Sequence, residues 1–187
     1  MNFNRSLILA SSSPRRQEIL KNAGFSFRVK VADVEETFPT DLDPNLVAQY
    51  LAVKKSKAIP LEGDEVVVTS DTTVIVDGDI LNKPKHRGVA QIMLRKLSGR
   101  DHKVVTGVAI TDRHKTIEFS ETTYVSFKNL SDEEIDYYID RFQPFDKAGS
   151  YGIQEWIGMI GITEIKGSYF NVMGLPIHKL YEELMKF

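Results

Sequence analysis

The sequence predicts an α/β fold, a mixed and elongated sheet flanked by helices, and three observations predict it. Short apolar runs alternate with amphipathic stretches along the whole chain. Capping and breaking residues stand where those stretches begin and end. Two long β-type runs, 103–111 and 116–127, are separated only by turn residues around Asp112-Arg113-His114. Such a pair must be antiparallel, so the sheet cannot be purely parallel.

Taken in order, residues 6–10 (SLILA) form a short apolar run, a buried strand. A helix follows, capped by Ser12 or Ser13, with Pro14 in its first turn and Gly24 just past its end. Residues 25–31 alternate as a strand. Asp43-Pro44 opens a second helix that runs to about Ala58. Residues 65–69 read as a buried strand and 72–76 as another, with Asp77-Gly78 as a hairpin turn. Residues 88–98 are helical, with Val89, Ile92, Met93 and Leu97 on one face and Gly99 as the stop. After the long hairpin, Ser131 and Glu134 form a capping box for a helix through Phe142, with Ile135, Tyr138, Ile139 and Phe142 as its apolar stripe. Residues 159–165 and 169–173 read as two strands paired across Lys166-Gly167-Ser168, and a last helix spans about 176–185. No repeat, linker or low-complexity tract interrupts the 187 residues, so one domain, 1–187, is expected, with two lobes and a central cleft.

Composition narrows the chemistry. With no cysteine, thiol nucleophiles, disulfides and thiolate-bound metals are excluded. The histidines, His86, His102, His114 and His178, lie far apart, so a metal would sit on carboxylate oxygens, which suits Mg²⁺ or Mn²⁺. A net charge of −2 gives no bulk attraction to nucleic acid or membranes, so neither is expected as a partner. No apolar run exceeds four residues, too short for a membrane span or signal peptide. The expected location is the cytoplasm.

Four segments can carry chemistry, and each has a plainer reading beside it. In SSSPRR (11–16), Arg15 and Arg16 occupy the first turn of a helix, where cations are electrostatically misplaced. An anion held there by backbone N–H groups, by Ser11 and Ser13, and by the guanidinium groups would relieve the misfit; solvated arginines on an ordinary helix would look the same. In TSDTTV (69–74), Asp71 follows an apolar run and should emerge at a strand end, with Thr72 beside it. It could be a general base, a metal ligand or a turn residue. In LNKP (81–84), the proline holds Lys83 extended, aimed at a phosphate or at water. In DKAGSYGIQ (146–154), two glycines allow a ligand to approach the backbone, or simply make a turn, and the Gln154 amide could read a base edge. An acidic cluster, Asp33, Glu35 and Glu36, could hold a cation or be a solvated face; Lys54, Lys55 and Lys57 could line a cleft or face water. Together the inventory suits a metal-dependent reaction on a phosphorylated substrate.

At LILASSSPRR, SDTTVIVDGDILNKP, MLRKLSG, DKAGSYGIQ and VMGLPI the chain resembles the Maf family of nucleotide pyrophosphatases, over nearly its whole length. The resemblance implies a fold similar to inosine triphosphate pyrophosphatases, hydrolysis of a nucleoside triphosphate to monophosphate and pyrophosphate, and a divalent cation (Mg²⁺, Mn²⁺ or Co²⁺). It implies Asp71 as proton acceptor and, with Glu35 or Glu36, as metal ligand. It implies Lys55 (with Lys57 as the fallback) and Lys83 as catalytic cations, and Arg15, Thr72 and Gln154 at specificity positions. It also allows a homodimer. Arg15 after Pro14, and Gln154 closing the late loop, resemble the dTTP/UTP branch. The 7-methyl-GTP branch carries a tryptophan and a glutamate at those places. A glutamine amide complements the N3–H donor and O4 acceptor of uracil or thymine, whereas a carboxylate suits the two adjacent donors of guanine. A 7-methyl-GTP enzyme and a non-catalytic nucleotide-binding regulator of septum formation are the competing readings.

Overall fold

In a computed structural model describing residues 3–31 and 33–187, the elements run β1 (Leu7–Leu9), α1 (Pro14–Asn22), β2 (Arg28–Val29), α2 (Pro44–Lys57), β3 (Val66–Val76), β4 (Asp79–Leu81), α3 (Arg87–Leu97), β5 (Asp101–Thr111), β6 (Thr116–Phe127) and α4 (Asp132–Phe142). Two 3-10 turns, Pro144–Asp146 and Ala148–Ser150, lead to α5 (Trp156–Gly161), β7 (Ile162–Lys166), α6 (Tyr169–Val172) and α7 (Ile177–Leu184). The seven strands form one mixed sheet in the order β2-β1-β3-β5-β6-β7, with β4 paired to β3. β1 lies parallel to β2 and β3, while β3–β4 and β6–β7 are antiparallel.

The chain divides into two compact units. One takes in the chain up to Asp71 together with Thr106–Glu121 and Gly174–Phe187; the other comprises Thr72–Val105 and Thr122–Met173. In the first unit Ile8, Ala10, Ile59 and Val67 form a buried cluster. Helix α2 also lies directly on β5 there: a side chain at Gly107 would penetrate the Ala48–Gln49 peptide, so only glycine permits this contact. The second unit has the larger cluster, in which Val74, Val76 and Val104 pack with Leu94 and Leu97 of α3, Ile135, Tyr138 and Ile139 of α4, and Ile157.

Local signals placed most helices correctly. Asp43 accepts a hydrogen bond from the Asn45 N–H at the start of α2, and the Ser131–Glu134 capping box closes in both directions. Ser13 is the N-cap of α1, but its side chain makes no capping bond.

Four expectations are corrected. Residues 66–76 form one continuous strand, so Asp71 lies in the middle of β3 and not at a strand end. The strand survives its polar centre because three consecutive side chains find partners: Thr69 Oγ1 donates to the Ala52 carbonyl, Ser70 Oγ to the Gly174 carbonyl, and Asp71 accepts from Lys55. Asp71 does lie three residues beyond Val68, the last position paired with parallel β1. The strand expected over 25–31 is reduced to an exposed two-residue edge. Residues 169–173 are not a strand. Ser168 Oγ caps a single helical turn by accepting from the Asn171 N–H, and Asn171 Nδ2, fully buried, donates to Val104 and Thr123. The β7 strand pairs instead with β6, and Met159 belongs to α5.

Candidate active site

Lys55, in the last turn of α2, donates to Asp71 Oδ1 and to Glu36 Oε1, each at 2.6 Å. One ammonium thus ties the centre of β3 to the loop carrying Glu36. Lys54, one residue earlier, fastens the same loop by donating to the carbonyl and hydroxyl of Thr37 at 2.9 Å. The helical register puts Lys57 on the side of α2 away from Lys55; Lys57 is exposed and lines an apolar groove with Leu42, Leu46, Tyr50, Val53 and Glu118. Of the two lysines the sequence left open, Lys55 is the one that reaches Asp71.

Arg16, in the first turn of α1, already has partners within the protein. Its Nε donates to the Gly174 carbonyl at 2.7 Å and its Nη1 to the Ser70 carbonyl at 2.9 Å and to Ser11 Oγ at 3.4 Å. Burial lowers its pKa, with Asp71 the main opposing influence; Arg15 adds to the lowering and Glu36 opposes it. Protein carbonyls, with Asp71 and Glu36 nearby, stabilise this cation. Ser11 Oγ also accepts from the Ser13 N–H, folding the SSS segment onto the helix start. Gly174, from the VMGLPI stretch, is the shared anchor of Arg16 and Ser70; the sequence assigned it no role.

Asp71 is 9% exposed, while Glu35 and Glu36 are exposed. Among the described residues no group of three His, Cys, Asp or Glu side chains is arranged to hold a metal, so Glu35 and Glu36 do not join Asp71 in a triad. The Asp71–Glu36 pair nevertheless converges on one positive charge. Two carboxylates completed by substrate phosphate oxygens are a normal environment for Mg²⁺, so this donor set fits a hard divalent cation.

In the second unit, Thr72 is half-buried on β3 and Lys83 is exposed between β4 and α3. The DKAGSYGIQ loop is built for packing rather than for ligand approach to its backbone. Gly149 has φ of +69°, and a side chain there would strike Val74. Tyr151 is buried, with its hydroxyl 2.7 Å from His102 Nε2. Burial holds His102 down to about 4, and Asp101 opposes that shift.

The end of the loop is held by groups the sequence did not single out. Tyr138 OH donates to Glu155 Oε2 and accepts from the Gly152 N–H at 3.0 Å. Lys147 bridges Glu155 Oε1 at 3.0 Å and Asp146 Oδ1 at 2.7 Å. Beside this network the Gln154 Oε1 atom is buried and has no hydrogen-bond partner among the described residues. Such an atom costs about 1–3 kcal/mol unless something donates to it. In the sequence Tyr138 belongs to an apolar helix face; the signal for a second role is that a buried tyrosine hydroxyl usually seeks a polar partner.

A family model described as Maf-like protein matches residues 6–187. A relative from Porphyromonas gingivalis (strain ATCC 33277), named dTTP/UTP pyrophosphatase, is 52% identical over 186 residues, covering 97% of this chain and 94% of its own. Another of that name from Phocaeicola vulgatus is 50% identical over 183 residues, covering 96% and 95%. Among solved structures, the Staphylococcus aureus Ham1 protein aligns with a TM-score of 0.47 and 19% identity, over 66% of this chain and 72% of its own.

Proposed function

The chain belongs to the Maf family, and from that premise we propose that it hydrolyses dTTP and UTP to the nucleoside monophosphate and pyrophosphate. Water attacks the α-phosphorus and pyrophosphate departs. We take residues 1–187 as one functional domain and place the reaction in the cytoplasm. No helix among the described residues is long and apolar enough to cross a membrane.

In this reading Asp71 takes the proton of the attacking water at a carboxylate oxygen. A divalent cation, Mg²⁺, Mn²⁺ or Co²⁺, held by Asp71 and Glu36, would supply Lewis-acid neutralisation of phosphate charge. Glu35 is then the weaker candidate, since Glu36 is the one that shares Lys55 with Asp71. Phosphoryl transfer is mostly positioning and electrostatics. Lys55, Lys83 and Arg15 provide positive charge for the phosphate oxygens. Ser11 and Ser13 present polar groups at the start of α1. Arg16 serves the same purpose indirectly: through Ser70 and Gly174 it holds the β3 backbone next to Asp71. Thr72 and Gln154 contribute to selectivity for the nucleoside.

The observation that carries the choice of base is the buried, unpartnered Oε1 of Gln154. An N3–H donor from uracil or thymine would satisfy it, and the amide N–H of the same side chain would meet O4. The test is a panel of nucleoside triphosphates with purified protein and each divalent metal, scored for pyrophosphate release. Preference for UTP and dTTP over CTP, GTP and 7-methyl-GTP is the expected result. Tight binding without turnover would replace this reading with a nucleotide-binding regulator.

A further inference from the structure

Glu155 is a carboxylate beside the amide thought to read the base. An added side-chain carbon at Gly152 would lie 2.8 Å from Glu155 Cδ and 3.1 Å from Gln154 Nε2, so both side chains crowd over the same glycine. Placed freely there, a carboxylate would welcome a base edge with two adjacent donors and repel the O4 acceptor of uracil. It is not free. Tyr138 OH donates to Oε2 and Lys147 Nζ pairs with Oε1. Burial, together with the neighbouring Glu155, pushes the Tyr138 hydroxyl up, so it remains a proton donor throughout the neutral range. The same hydroxyl accepts from the Gly152 N–H, which ties the carboxylate clamp to the backbone two residues before Gln154.

We propose that Tyr138 and Lys147 are positioning residues that set base selectivity: they engage both oxygens of Glu155, so that the group offered to the base is the neutral Gln154 amide and not the Glu155 carboxylate. This rests on the pyrimidine triphosphate reading above. Selectivity in this enzyme is then partly an act of concealment. The acidic group that would favour guanine is present in the loop and is kept occupied by a tyrosine and a lysine.

The experiment compares kcat and KM for UTP and GTP in the wild type, Tyr138→Phe, Lys147→Met, Lys147→Arg and the double variant Tyr138→Phe/Glu155→Gln, each with its melting temperature. In Tyr138→Phe and Lys147→Met the UTP:GTP ratio of kcat/KM should fall about tenfold, carried by a higher KM for UTP with kcat little changed, as expected for one mispaired polar group. Lys147→Arg should retain the ratio. Removing the charge in Tyr138→Phe/Glu155→Gln should restore it, although that variant loses more packing and more hydrogen bonds than either parent. A network that only stabilises the fold predicts the reverse: lower melting temperatures, an unchanged ratio in the single variants and no rescue in the double. That pattern overturns the proposal. Should Tyr138→Phe fail to fold, Lys147→Met read against Lys147→Arg decides the matter by the same ratio. A wild type without pyrimidine triphosphate turnover would instead overturn the reading on which the proposal rests.

Discussion

Around Asp71 the polar groups answer one another: Lys55 joins Asp71 to Glu36, and Arg16 rests on the carbonyls of Ser70 and Gly174. In the loop before Trp156 the charged groups are likewise paired, yet Gln154 Oε1 stays buried without a partner among the described residues. The first region holds its charges neutralised by one another. The second leaves neutral atoms unpaired among the described residues, Gln154 Oε1 and Ser150 Oγ, and of these the Gln154 oxygen can only accept. Catalytic charge can be stored as mutual pairing, because ion pairs re-form with any suitable counter-charge. Recognition of a base edge cannot, because a hydrogen bond made in advance removes the atom that must discriminate.

The sharpest break in this contrast is Asp71→Asn. It preserves shape and removes the base, and kcat should fall by about 10²–10⁴ while the ratio of UTP to GTP turnover stays the same. A steady-state assay of pyrophosphate release measures both quantities. If kcat stays near normal, the paired region is not where the proton goes.

Gln154→Glu attacks the other side. The carboxylate lacks the N–H that meets O4, so kcat/KM for UTP and dTTP should drop by about tenfold to a hundredfold, with a relative gain for guanine nucleotides. An unchanged base preference would remove Gln154 from the comparison altogether.

His102 sharpens it through pH. Held down to about 4 by burial, it is neutral in the folded protein and takes up a proton more readily once unfolded. Its contribution is therefore complete above about pH 6.5 and is lost as the pH falls toward 4, amounting to about 2 kcal/mol by pH 5. Denaturant melts of wild type and His102→Gln at pH 7 and pH 5 should show a steeper acid loss in the wild type. Parallel losses would mean that other groups govern acid stability in this unit.

The smallest expected effect is Lys57→Met. This exposed lysine should leave turnover within about twofold, whereas Lys55→Met should lower kcat by at least tenfold by removing a cation from the phosphate site. Equal effects at the two positions would dissolve the distinction that the helical register draws.

Legibility in the sequence followed the range of the interactions. Helices α2 and α4 were readable because Asp43, Pro44, Ser131 and Glu134 act on their own neighbours. The single long β3 was not, since Ser70 and Asp71 are satisfied by Gly174 and Lys55 from elsewhere in the chain. Residues 169–173 are rich in aromatic and apolar residues and follow a turn, as a strand would, but 169–172 form a turn of helix, because the bonds of Asn171 to Val104 and Thr123 outweigh local preference. Helix α5, with glycine at positions 158 and 161, offers little helical propensity and is carried by the burial of Ile157. At the site, residue chemistry pointed to Asp71 and Gln154, and the register chose Lys55. The Tyr138–Glu155–Lys147 network stayed hidden because a tyrosine in an apolar stripe and two charges in a loop look ordinary until they are placed together.

Gly107 carries no functional group, and yet the helix that carries Lys55 sits where it does because that glycine has no side chain. A methyl group there would lift α2 off β5, and displacements of about 1 Å at reacting groups can cost a hundredfold in rate. Natural variation at position 107 could thus silence the enzyme while every residue of its active site reads as intact, and a survey of such sequences by site composition alone would count a dead protein as a working one.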